Sequence, residues 1–132
     1  MVLINELVRP REEVLTEGIE GRVDVYKALS GEGIEGDAGR FLEVTYLTEP
    51  LKEVIDEIRM KLERKKGSKG VYAFAGGFGS GKSHHILSLY HMFASPEVGK
   101  KWLRTEEFDF EIPTNVKSVL IQALSINPDY LW

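Results

Sequence analysis

The run Val71-Tyr-Ala-Phe-Ala-Gly-Gly-Phe-Gly-Ser-Gly-Lys-Ser83 constrains this chain more than any other stretch, because an apolar segment leads into a loop spelling G-x-x-x-x-G-K-[ST]. Such a loop cradles phosphate. Glycines at 76, 77, 79 and 81 permit positive φ and let backbone N–H groups come within reach of oxygens that a Cβ would push away. Lys82 is the expected catalytic-site cation, meeting the β and γ phosphates, and the Ser83 hydroxyl is the expected ligand of the bridging Mg²⁺. The pattern thus predicts a nucleotide site made of Gly76, Gly77, Phe78, Gly79, Ser80, Gly81, Lys82, Ser83 and His84, with a nucleoside triphosphate and Mg²⁺ as cofactors.

The pattern carries weight only between a buried strand and a helix, and the flanking residues predict both. Val71–Ala75 is a run of apolar residues after a Lys-Gly-Ser-Lys-Gly turn, as in a parallel strand covered on both faces. Beyond the loop, Ile86, Leu89, Tyr90 and Phe93 recur at helical spacing and predict a buried helix face ending near Ala94, where Ser95-Pro96 stops it. The N-terminus of that helix would aim its free N–H groups at the phosphates.

Upstream, the spacing predicts a short helix over Arg22–Ser30 with Val25, Ala28 and Leu29 inward, then a glycine-rich acidic loop over Gly31–Gly39. A longer helix is predicted after Thr48 as N-cap, with Pro50 in its first turn and Leu51, Val54, Ile55, Ile58 and Leu62 on one face. Lys61, Arg64, Lys65 and Lys66 at its end complement the negative helix terminus. Downstream, Ser95-Pro96-Glu97 opens a short helix carrying Val98, Trp102 and Leu103, with Gly99 as an interruption. Thr105–Thr114 reads as irregular, and Lys117–Ser125 as a second strand. The order strand, loop, helix, strand predicts an α/β fold, the beginning of a P-loop NTPase. A partial parallel sheet with flanking helices would follow an irregular and helical N-terminal segment. The expected division is 1–66 for that segment and 67–132 for the first part of the core, together one incomplete domain.

Composition narrows the function classes. A net charge of −4 argues against coating nucleic acid by bulk electrostatics. No stretch approaches the ~20 apolar residues of a membrane span and no signal-peptide pattern opens the chain, so the expected compartment is the cytoplasm. With 0 cysteines, disulfides, thiolate chemistry and Cys-based zinc sites are excluded. His84, His85 and His91 offer no i, i+4 pair, which argues for contact near the nucleotide or plain surface over a metal site.

Hydrolysis needs more than the loop. A Walker-B acid at the end of an apolar strand helps hold Mg²⁺, and a further residue orients water. After Ser83 the acids are Glu97, Glu106, Glu107, Asp109, Glu111 and Asp129, and none ends an apolar run. Asp129, after Asn-Pro, reads as a turn former. The expectation is the front part of a larger ATPase, hydrolytic only when a continuation carries that acid.

Several segments carry a family resemblance: V-R-P-R-E-E-V-L at Val8–Leu15, D-V-Y-K-A-L at Asp24–Leu29, R-F-L-E-V-T-Y-L-T-E-P-L-K-E-V at Arg40–Val54 and G-G-F-G-S-G-K-S-H-H-I-L-S-L-Y-H at Gly76–His91. Together they resemble the N-terminal region of large archaeal and bacterial AAA+-like ATP-binding proteins, grouped mainly as a domain of unknown function. The T-Y-x-T-E element and G-K-S-H followed by L-Y-H are its most specific pieces. The resemblance implies Mg-ATP binding, and Tyr46, Leu47, Thr48 and Leu51 as candidates for an adenine-side wall. From the residues alone, Phe41, Tyr46 and Leu51 read equally as core. The implied partners are nucleotide and either the remainder of a larger ATPase or further copies of the chain. The competing expectation is a truncated, non-hydrolysing nucleotide-binding or interaction module.

Overall fold

The computed structural model describes residues 23–122. The Val8–Leu15 motif, Arg22, Asp129 and the end of the second expected strand lie outside them. Five helices occupy this region: α1 (Val25–Ser30), α2 (Ala38–Glu43), α3 (Glu49–Leu62), α4 (Lys82–Ala94) and α5 (Pro96–Thr105).

Local chemistry accounts for most helix ends. Asp24 Oδ1 accepts the Tyr26 N–H at 2.9 Å to open α1, and Gly31 closes it at φ 73°. Leu29 is exposed rather than inward, since this helix is too short to turn a full face onto the core. The expected loop Gly31–Gly39 ends early: Asp37 Oδ1 accepts the Arg40 N–H at 3.0 Å and starts α2 inside it, a helix the glycine content concealed. Helix α3 begins after Thr48 with Pro50 in its first turn, and Leu51 and Ile55 enter the core. Its end is a Schellman turn, with Lys65 N–H on Met60 O and Arg64 N–H on Lys61 O, and the basic cluster there is exposed.

Helix α4 packs on α5 and α2, α2 also meets α5, and α1 rests on α4. Between them lies one core of Phe41, Leu42, Leu47, Leu51, Ile55, Leu87, Met92, Phe93, Trp102, Leu103, Phe110 and Ile112. Phe110 and Ile112 reach it from the irregular segment after α5, where acidic neighbours hide them in the sequence. The buried face of α4 is rotated from the expected one. Leu87, Ser88, His91 and Met92 face inward with Phe93, while Ile86 is 43% exposed. Apolar periodicity misplaced that face because Ser88 and His91 are polar; the Ser88 hydroxyl is satisfied by His84 O at 2.7 Å and His91 by Glu35 O at 2.8 Å. Helix α5 runs through Gly99 without interruption.

The expected α/β sheet is overturned: among the described residues the chain is helical and contains no strand. A parallel strand is held by ladder bonds to neighbours and by cover on both faces. Val71–Ala75 has neither, since it makes no backbone–backbone hydrogen bond among the described residues and Val71 is 87% exposed. Burial alternates along it, with Tyr72 and Phe74 half-buried and Val71, Ala73 and Ala75 exposed. The same alternation runs through 116–121, where Val119 is 79% exposed. The strand expectation rested on continuous apolar runs; the structure shows alternating burial instead, with each segment lying singly on the helices.

Candidate functional site

The glycine loop stands at the N-terminus of α4, the longest helix that packs on both α2 and α5. Positive φ occurs at Gly79 (78°) and Gly81 (80°), but not at Gly76 and Gly77, so two of the four loop glycines use the left-handed region. Gly76 makes a close approach instead: a Cβ there would stand 2.6 Å from Ser80 Oγ and would displace that hydroxyl from its place beside Lys82. Gly81 is the N-cap of α4 and supplies no side chain, so no side chain caps the first turn. Phe78 at the loop tip is 95% exposed.

Lys82 folds back over the loop. Its Nζ donates to Gly76 O at 2.8 Å, Gly77 O at 2.6 Å and Ser80 Oγ at 3.1 Å. All three ammonium donors are thus directed into the loop, on groups near solvent that a more strongly accepting anion can replace. Ser83 is exposed on the second residue of α4.

His84, expected at the nucleotide, turns the other way. Its Nε2 lies 2.9 Å from Thr45 Oγ1 and its ring 4.8 Å from that of Phe41. Because Thr45 Oγ1 donates to Phe41 O at 2.7 Å, it accepts from His84, which fixes the Nε2–H tautomer. Burial, then the neighbouring His85, hold the His84 pKa below its ordinary value. Any contact of His84 with phosphate is left to its backbone N–H.

His85 takes the opposite tautomer. Its Nδ1 is 2.8 Å from Gly81 O, so Nδ1 carries the proton and the neutral ring offers a lone pair at Nε2 to Thr48 Oγ1, 3.0 Å away. Thr48, although N-cap of α3, makes no side-chain cap bond, and its hydroxyl proton goes to His85. The ring also stacks on Phe74, with centroids 5.5 Å apart.

The segment 45–48 is pinned from α5 as well, with Trp102 Nε1 donating to Thr45 O at 2.9 Å and Leu47 N–H to Glu106 Oε2 at 3.0 Å. Of the candidate adenine-wall residues, Leu47 and Leu51 are core, as is Phe41, Thr48 is bonded to His85, and Tyr46 alone is 73% exposed. The Thr45–His84 and Thr48–His85 bonds are contacts that motif reading missed. The signal available was that the two most specific sequence elements, T-Y-L-T and K-S-H-H, each offer a pair of groups able to bond the other.

His91, buried against Phe41 and Tyr90, donates from Nε2 to Glu35 O. Desolvation pushes its pKa below the ordinary value near 6.5, opposed by the Glu35 bond and the charge of Asp37. The unfolded chain therefore takes up this proton first. The stability contributed by neutral His91 is complete above the unfolded value and is lost as pH falls through it toward the folded one. Thermal melts between about pH 7.5 and 5 should show Tm falling with acid, less steeply in His91→Gln. Identical pH slopes in the two proteins would contradict this.

No group of three or more His, Asp or Glu side chains able to hold a metal occurs among the described residues. None of their helices is long and apolar enough to cross a membrane. A groove of about 440 Å³ between α2 and α5, lined by Leu42, Val98 and Trp102 among others, shares no lining residue with the loop.

A family model described as the DUF499 N-terminal domain, a domain of unknown function, matches residues 3–127. No curated protein and no solved structure matches the chain.

Proposed function

This chain belongs to the DUF499 N-terminal domain family, and we propose that it binds a Mg-nucleoside triphosphate, ATP by preference, through the loop Gly76–Ser83. The observation that carries the reading is the seat of Lys82, whose ammonium is drawn onto Gly76 O, Gly77 O and Ser80 Oγ at the uncapped start of α4. A phosphate entering there would exchange carbonyl acceptors for charged oxygens and meet the first-turn N–H groups and the positive helix end. Lys82 would bridge the β and γ phosphates. Ser83 would supply an oxygen to Mg²⁺, which neutralises the charge between them. ATP over GTP rests on the sequence, which carries no Asn-Lys-x-Asp motif.

Kinship with AAA+-like ATPases is proposed on the sequences of the loop and of the T-Y-L-T-E element, and not on a sheet. Hydrolysis would require an acid that the loop's hydrogen-bond partners among the described residues do not include; Glu97 pairs with Lys100, and Glu106 holds Leu47 N–H. That observation favours, as a second reading, a module that binds nucleotide without cleaving it. The exposed sides of 71–75 and 116–121 support association with further polypeptide, either another copy or the rest of a larger ATPase.

Thermal melting with and without Mg-ATP tests the proposal. At ligand near a hundred times Kd, linkage stabilises by about 2.7 kcal/mol, a shift of several degrees. Lys82→Ala should abolish the shift without lowering the Tm of the free protein, since its ammonium is near solvent. No shift in the folded wild-type protein with any nucleoside triphosphate would sink the reading.

A further inference from the structure

His85 donates twice to one carbonyl. Its backbone N–H meets Gly81 O at 2.9 Å and its ring Nδ1–H meets the same oxygen at 2.8 Å. Gly81, at φ 80°, is the last loop residue before Lys82, and glycine leaves its peptide freer to rotate than any other residue would. In a trans peptide the next N–H points opposite the carbonyl, so holding Gly81 O toward α4 holds the Lys82 N–H outward from the helix start. The same ring stacks on Phe74, two residues before the first loop glycine, and accepts from Thr48 at the head of α3. One imidazole therefore ties the entry of the loop, its exit and a neighbouring helix together.

From this geometry we infer that His85 is a positioning residue for phosphate binding, with Thr48 as the group that holds its ring in place. The inference rests on the nucleotide reading above. His85 touches no phosphate; it fixes the Gly81–Lys82 peptide before ligand arrives, which removes an ordering cost from binding. Gly81 O, which can only accept, fixes the proton on Nδ1, and the Thr48 hydroxyl donates to Nε2 and anchors the far side of the ring.

The test measures Mg-ATP affinity by calorimetry for wild type, Lys82→Ala, His85→Phe, Thr48→Val and Thr48→Ser, beside ¹⁵N NMR of the His85 ring in the free protein. His85→Phe keeps an aromatic ring for Phe74 but loses both ring nitrogens. It should weaken binding about three- to tenfold, the scale of one hydrogen bond. Thr48→Val should weaken it about two- to fivefold and shift the Nε2 resonance as its hydrogen bond is lost, and Thr48→Ser should restore both. Unchanged affinity in His85→Phe and Thr48→Val, in a protein whose binding Lys82→Ala destroys, would overturn the positioning inference and leave the nucleotide reading standing. Wild-type protein with the Nδ1–H signature but no binding would overturn the nucleotide reading and this inference with it. Should His85→Phe fail to fold, Thr48→Val decides: Nε2 resonance shifted with affinity unchanged overturns the inference, and both changed together supports it.

Discussion

Phe41→Ala should lower Tm by on the order of 10 °C or more, the largest loss expected from a single truncation in this chain. A buried Phe→Ala change costs about 3–5 kcal/mol, and each kcal/mol moves a domain of about 100 residues by about 4–8 °C. Phe41 is 2% exposed and lies between two imidazoles, with ring centroids 4.8 Å from His84 and 5.4 Å from His91. Removing it leaves a cavity beside both rings and admits water to groups that are neutral because they are desolvated. The variant should therefore also lose some of the acid sensitivity expected of the wild type. Differential scanning calorimetry across pH reads both effects. A drop of only a few degrees would mean that the site closes up or that Phe41 is a surface group, and the α2–α4 contact would need another account.

Gly99→Ala should also destabilise, although intrinsic helix propensity favours the change by about 1 kcal/mol. The close approach of α5 to α4 decides the sign. A Cβ at residue 99 would stand 2.6 Å from Met92 O, 2.7 Å from Ile112 Cδ1 and 3.0 Å from Met92 Cγ. The first of these is a backbone carbonyl in the last turn of α4. It cannot step aside as a side-chain end can, because α5 begins directly after Ser95 and the corner between the helices is short. Overpacking of this kind costs about 1–3 kcal/mol. Equilibrium denaturation should show a net loss for Gly99→Ala and a larger one for Gly99→Val. A gain in stability for Gly99→Ala would show that the corner is looser than these distances state.

The two positions also show where sequence reading reached its limit. Gly99 reads in the sequence as a break in a helix, because propensity is a property of one residue in isolation; in the fold it is the contact surface between two helices. Phe41, readable as core from its residue type, sits in a stretch whose helix was hidden by the glycines before it. The face of α4 was misassigned for a related reason. Its inward positions include Ser88 and His91, and a polar side chain announces burial only when its partner is known, here His84 O and Glu35 O. The apolar runs at 71–75 and 117–125 were legible, but pairing is a relation between segments and no described segment supplies it.

By itself the sequence determined the glycine loop ahead of α4, the start of α3 after Thr48 and the end of α4 at Ser95-Pro96. Those features follow from φ preferences, caps and proline, which act within about four residues. The absence of a sheet among the described residues, the rotation of α4 and the bonding of Thr45 to His84 and Thr48 to His85 were decided by tertiary structure alone. The two histidine bonds join groups 39 and 37 residues apart, the rotation of α4 turns on His91 meeting Glu35 O 56 residues away, and a sheet needs a partner strand, so no local preference carries that information.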